Sequence, residues 1–354
     1  MHLHTDTTPD KATHVDGQEY LFFSGFSYLG LHVHPHYKEV LRSGIDLFGT
    51  VFVSSRIANL RLNIFDEQEE TLADMLKQPS AASFSSGFLA SQAAVQYAAT
   101  QGELCFSPDT HVSLLTGRHT PPDISWDEWS SQTITKVNAW PDQTFVIIAN
   151  SVNPLTATIN DFSWLSELSR EVLVLIDDSH GFGVIGHDGN GIIHFLPQQP
   201  NLRYLLCTSL AKAFSTPGGV VAGHAGDIMA LKKMPPFTAG TPMMPACAFA
   251  FLQSTSLHRH QRQLSQERIA QFASLTASLA PVQNPFKLPM FLLTEYPGIG
   301  SYLQEQGTII SSFGYPSPDS PPINRVVITA LHQPSQLDTL YQQLQQAYSS
   351  FKTT

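Results

Sequence analysis

Cysteine is scarce in this sequence: Cys105, Cys207 and Cys247 are the only three in 354 residues, far apart and without a C-x-x-C spacing. That excludes a disulfide framework, leaves no metal site to expect, and fits buried free thiols in a reducing compartment. Basic residues are also few, 19 Lys and Arg against 29 Asp and Glu for a net charge of −10. Neither nucleic acid nor an anionic membrane is then expected as the main partner, and any anionic ligand must be held by local donors. No apolar run reaches the ~18 residues of a membrane span, and the N-terminus has no basic region followed by an apolar block. A cytoplasmic protein is expected. Charged residues make up 14% and hydrophobic ones 42%, a composition with much interior and little disorder.

What is present is an alternation of short apolar strands and helical stretches. Strands are expected at 19–25, 81–84, 103–106, 144–149, 172–176, 202–207 and 220–223, with helices at 35–42 and 66–77 and a strand-to-helix turn at 85–95. This points to an α/β domain with a largely parallel sheet. A helical, amphipathic stretch at 246–279 joins it to a second region with strands at 286–294, 308–313 and 325–330 and helices at 298–306 and 336–351. Residues 36–250 are accordingly assigned to a large domain, and 1–35 with 251–354 to a small α+β domain. The proline-rich stretch 315–322 is read as a loop.

Two segments carry chemistry. In Cys207-Thr-Ser-Leu-Ala-Lys-Ala-Phe-Ser-Thr-Pro-Gly-Gly219, Lys212 follows an apolar strand and enters a turn rich in small and hydroxyl residues. A lysine desolvated there loses its ammonium form and becomes nucleophilic. In Leu175-Ile-Asp-Asp-Ser-His-Gly-Phe-Gly-Val-Ile-Gly186, a buried strand ends in Asp177, with His180 three residues on. An acid at a strand end, a nearby histidine and a lysine in such a turn suggest pyridoxal 5'-phosphate, whose aldehyde needs an amine and whose ring nitrogen needs a carboxylate. Ser86 and Gly87 open a helix whose free N–H groups make a phosphate seat.

These segments resemble the α-oxoamine synthases, pyridoxal phosphate enzymes of fold type I (aspartate aminotransferase-like), and the resemblance runs from about residue 23 to the C-terminus. It implies that Lys212 is the Schiff-base lysine, that Asp177 pairs with the pyridinium nitrogen, that His180 bonds the ring's phenolic oxygen and that His111 stacks on the ring. It assigns Ser86, Gly87, Phe88 and Ser209 to the phosphate. Thr241 would reach the phosphate in a neighbouring subunit, which implies a homodimer with active sites at the interface. The implied reaction is a decarboxylative condensation of an amino acid with an acyl-CoA or acyl thioester, in the branch of the family that serves biotin synthesis.

Departures from the family pattern concern the substrate. Phe26 stands in place of an asparagine that helps hold the substrate carboxylate, Leu60 and Phe65 in place of a glycine and a histidine, and Pro154-Leu-Thr-Ala157 in place of Ser-Met-Asp-Gly. The family's carboxylate-binding arginine should fall near Phe313, where no basic residue occurs. Arg56 and Arg61 are the nearest replacements, with Arg325 behind them. Two alternatives therefore stand beside the condensation: another pyridoxal phosphate reaction, such as transamination, and a catalytically inactive partner subunit.

Overall fold

The computed structural model describes residues 3–117, 119–314, 317 and 319–351. Its strands, in chain order, are β1 Ala12–Val15, β2 Gln18–Phe23, β3 Ser80–Phe84, β4 Glu103–Phe106, β5 Phe145–Asn150, β6 Val152–Asn153, β7 Thr158–Ile159, β8 Val172–Asp177, β9 Leu202–Ser209, β10 Gly219–Gly223, β11 Val282–Gln283, β12 Met290–Leu293, β13 Thr308–Gly314 and β14 Pro322–Val327. The large sheet has the order β3-β10-β9-β8-β5-β4. β9, β8, β5 and β4 are parallel neighbours, while β10 runs antiparallel to both β9 and β3. β8 is buried along its whole length. Val172, Val174 and Ile176 face one core and Leu173 and Leu175 the other, as a strand covered on both faces requires.

The second sheet has the order β1-β2-β13-β14-β12-β11, with β2 parallel to β13 and the remaining pairs antiparallel. Helices Thr255–Thr276 and Pro334–Phe351 close a third core, in which Ile269, Phe272, Leu337 and Leu340 pack on Phe23, Phe291 and Val326. His258, near the start of the 22-residue helix Thr255–Thr276, packs instead on Phe214 and Phe251 of the large-sheet core. One helix therefore ties the two sheets together.

Several boundaries differ from expectation. The stretch 246–279 is two helices, Pro245–Gln253 and Thr255–Thr276, because Ser254 leaves helical geometry (φ −109°, ψ 16°) and donates its N–H to the Phe251 carbonyl. Residues 49–62 form turns and bends, and the helix expected at 66–77 starts three residues earlier, at Asn63. β12 starts four residues later than expected and β14 three earlier, at Pro322. Of the proline-rich stretch, residues 315, 316 and 318 lie outside the described residues.

Candidate active site

Parallel strands present ligands at their carboxyl ends, and the chemistry-bearing residues collect there. Register places Asn150, Asp177 and Cys207 side by side at the ends of β5, β8 and β9. Asp177 is 7% exposed and its Oδ1 accepts the Ser179 N–H at 2.9 Å. The chain then turns so that Nε2 of His180 lies 2.9 Å from Nζ of Lys212. Nδ1 of His180 is 2.7 Å from the hydroxyl of Tyr28, which follows β2.

Electrostatics suit an amine nucleophile. Burial pushes the Lys212 pKa down; Asp177 opposes this, Arg325 reinforces it, and Cys207 opposes it weakly. His180 is held well below the usual imidazole value, first by burial and then by Lys212, Arg325 and His111, so its ring is neutral. Burial likewise lowers His111, against the pull of Asp177 and with a small push from Lys212, which places His111 in the same field. His111 caps a short 3-10 turn after β4; its Nδ1 lies 2.8 Å from Ser113 Oγ and its backbone N–H donates to Asn150 Oδ1 at 3.3 Å.

The turn at Ser86 and Gly87 is built by close approach of backbone. Ser86 caps the 12-residue helix Gly87–Ala98, its Oγ accepting the Leu89 N–H at 3.1 Å. A Cβ on Gly87 would stand 2.5 Å from Cβ of Ser209, and one on Gly219 would stand 2.4 Å from the Ser86 carbonyl. The Ser209 N–H donates to Ser179 Oγ at 2.9 Å, joining this turn to the Asp177 loop. Phe88 is 60% exposed beside it. Thr241 is exposed and, among the described residues, stands outside this hydrogen-bonded cluster.

Sequence reasoning passed over Asp178. It is fully buried and clamps the glycine-rich loop, its Oδ2 accepting the Ile192 N–H at 2.9 Å. A Cβ on Gly181 or Gly191 would lie 2.0 or 1.8 Å from its carboxylate oxygens, which accounts for both glycines. Burial, helped by Asp177, pushes its pKa up to about 7.

The arginine candidates separate cleanly. Arg56 is buried and already paired: NH2 to Glu69 Oε1 at 2.9 Å, NH1 to Ser83 Oγ at 3.1 Å, with its guanidinium over Phe65 and Phe237. Arg61 is exposed and lines an open cavity with Asp66 and Lys232. Arg325, ranked last from the sequence, is the one whose charge acts on Lys212, His180 and Tyr28. Its NH1 donates to the Pro154 carbonyl at 2.7 Å and its guanidinium carbon lies 5.7 Å from the Phe313 ring centroid, while its buried Nε has no partner among the described residues. The segment that departs from the family pattern at Pro154 thus holds Arg325 in place.

Taken together, an amine whose pKa burial lowers, a carboxylate at a strand end and a backbone turn too tight for a Cβ fit pyridoxal 5'-phosphate: Lys212 for its aldehyde, Asp177 for its ring nitrogen, Ser86, Gly87 and Ser209 for its phosphate. Residues 130–344 match the family model for aminotransferases of class I and II, and the chain belongs to that family. Its architecture is that of the fold type I pyridoxal phosphate-dependent transferases. Among curated relatives, the 8-amino-7-oxononanoate synthase of Ectopseudomonas mendocina is 27% identical over 353 residues, covering 94% of this chain and 90% of that protein. The synthase of the same name from Stutzerimonas stutzeri is 27% identical over 362 residues, covering 95% and 89%. Among solved structures, serine palmitoyltransferase of Sphingomonas wittichii superposes with a TM-score of 0.85 at 15% identity, covering 99% of this chain and 93% of that one. The 8-amino-7-oxononanoate synthase of Francisella tularensis does so with a TM-score of 0.71 at 20% identity, covering 94% and 98%.

Proposed function

We propose that this protein is an acyl-CoA:amino acid C-acyltransferase of the α-oxoamine synthase type, and that it condenses alanine with a pimeloyl thioester to form 8-amino-7-oxononanoate in biotin synthesis. The observation that carries this reading is that the buried amine of Lys212, 2.9 Å from His180, stands within the field of the half-buried guanidinium of Arg325. Such a pair can hold a carboxylate and take a proton from the carbon beside it. When bound, the cofactor supplies an electron sink for the carbanion left at that carbon.

The chain's own residues do the rest. Arg325 presents a planar fork to the substrate carboxylate, and the Pro154 carbonyl holds that fork in orientation. Lys212 accepts the α-proton as a free amine. Asp177, fixed by the Ser179 N–H, would hold a proton on the cofactor's ring nitrogen. The α-carbon then bonds to the acyl carbonyl carbon as the C–S bond breaks and CoA leaves as its thiolate, the bond from the α-carbon to the carboxylate breaks to release CO2, and Lys212 returns its proton to the α-carbon. The assignments of His180 and His111 to the ring, of Phe88 to the phosphate turn and of Thr241 to the active site of a partner subunit follow the resemblance; with them comes a homodimer. Three buried free thiols and, among the described residues, no helix long and apolar enough to cross a membrane support a cytoplasmic enzyme.

A second reading, a different pyridoxal phosphate reaction on the same scaffold, is favoured by Phe26, a 51% exposed aromatic where the resemblance calls for an amide. The test is a substrate screen. Alanine, glycine and serine are added singly while the cofactor absorbance is recorded, and acyl-CoAs are then added while free thiol is titrated. Alanine-dependent thiol release from pimeloyl-CoA is expected. No spectral response to any of the three amino acids would remove the synthase reading, and a colourless protein that cannot be reconstituted would remove both enzyme readings.

A further inference from the structure

Hydrogen-bond direction around Lys212 is decided by Tyr28. Its side chain is 2% exposed, and its hydroxyl has one hydrogen-bond partner among the described residues, Nδ1 of His180 at 2.7 Å. The other charged group acting on it, Arg325, is a donor only. Burial raises the phenol well above its usual pKa, so the proton stays on oxygen. A buried O–H with a single acceptor in reach donates to it, because the alternative leaves the hydrogen unsatisfied. Nδ1 therefore accepts, and a neutral imidazole accepting on Nδ1 carries its hydrogen on Nε2.

Nε2 faces Nζ of Lys212 at 2.9 Å. An Nε2–H needs a lone pair on Nζ, which only the free amine has. An ammonium there would need a bare Nε2 and a hydrogen on Nδ1, which would point at Tyr28 and strand the phenol's own hydrogen. We propose that Tyr28 is a positioning residue that locks His180 in the Nε2–H tautomer and thereby holds Lys212 as the free amine. The backbone at Tyr28 is pinned for this purpose. Its N–H donates to Phe26 O at 2.9 Å, its carbonyl accepts the Ala330 N–H at 3.0 Å, and Leu29 donates to Ala213 O at 3.4 Å, one residue past Lys212.

The surrounding charges do not decide the matter alone. Asp177 from β8 and Cys207 from β9 favour the ammonium, whereas burial and Arg325 from β14 oppose it. On His180 the acting groups are Lys212, Arg325 and, from the turn after β4, His111, all disfavouring an imidazolium. The ring is neutral in either case, and the tautomer is left to Tyr28.

The inference rests on the reading of Lys212 as the reacting amine, and it is tested on the full chain freed of cofactor. In protein labelled with 15N-histidine, the His180 resonances, assigned by their loss in His180→Gln, are expected in the Nε2–H pattern at neutral pH. In Tyr28→Phe the single tautomer is expected to give way to a mixture. The pH dependence of Lys212 acetylation, followed by peptide mass spectrometry, is expected to move its midpoint upward by about one unit in that variant. An Nδ1–H pattern in the unmodified protein, or an unchanged acetylation midpoint in a folded Tyr28→Phe, overturns the proposal. Should Tyr28→Phe fail to fold, the tautomer in the unmodified protein decides alone. Protein that shows the tautomer and the shift but does not take up pyridoxal phosphate would leave this inference standing and remove the functional one.

Discussion

Replacing Arg325 with methionine should separate amino-acid binding from cofactor binding. Methionine keeps an unbranched side chain and gives up the guanidinium, which lies over the Phe313 ring, whose NH1 is spent on Pro154 and whose Nε is free among the described residues. Hydrogen bonds to a charged partner contribute about 1.5–3 kcal/mol, which predicts alanine binding about 10- to 100-fold weaker. Removing Arg325 also removes one of the two influences that lower the Lys212 pKa, so the comparison belongs at a pH where the amine is free in both proteins. The assay is a titration of the cofactor absorbance with alanine and with alaninamide, without acyl donor. The unmodified protein should prefer alanine over the amide, and the variant should bind both equally weakly. If the variant still discriminates between them by the same factor, Arg325 does not hold the carboxylate.

Three further outcomes follow from the geometry. In Lys212→Ala, borohydride should no longer fix the cofactor to the chain, as read by peptide mass; retention elsewhere would disqualify Lys212. Gly87→Ala places a Cβ 2.5 Å from Ser209, so affinity for pyridoxal phosphate, measured by equilibrium dialysis, should fall by about tenfold or more while affinity for pyridoxal changes little. Acid should weaken the fold between pH 6.5 and 4. His332 is only 1% exposed, accepts the Thr329 N–H and bonds the Phe22 carbonyl, and its pKa is lowered to about 4 by burial. The unfolded chain takes up its proton below the ordinary value near 6.5 while the folded one does not, so stability falls with pH, by about 2 kcal/mol at pH 5. Urea unfolding at pH 7.5 and 5 checks this, and His332→Gln should flatten part of the difference.

The strands of the large sheet and the Lys212 and Asp177 turns were legible because both signals are local: β8 and β9 are apolar runs buried on two faces, and each ends in the turn that carries its candidate residue. β1 was passed over for its polar composition, although Asp16-Gly17, with φ 50° and 82°, is a hairpin turn that pairs Val15 with Gln18. Arg325 was misjudged for a different reason. Its sequence neighbours say nothing of the cleft, because its position depends on β2 lying parallel to β13 and β13 pairing in turn with β14, an arrangement that joins residues about 300 apart. Arg56 was named ahead of it as one of the two nearest replacements, yet its charge is consumed by Glu69 on the next helix, a pairing that no spacing announces. The same dependence on distant pairing hides Tyr28. By sequence it is an aromatic after an N-terminal strand; only where Ala330 and Ala213 pin its backbone does its hydroxyl meet His180 and acquire a say in the protonation of a lysine 184 positions away.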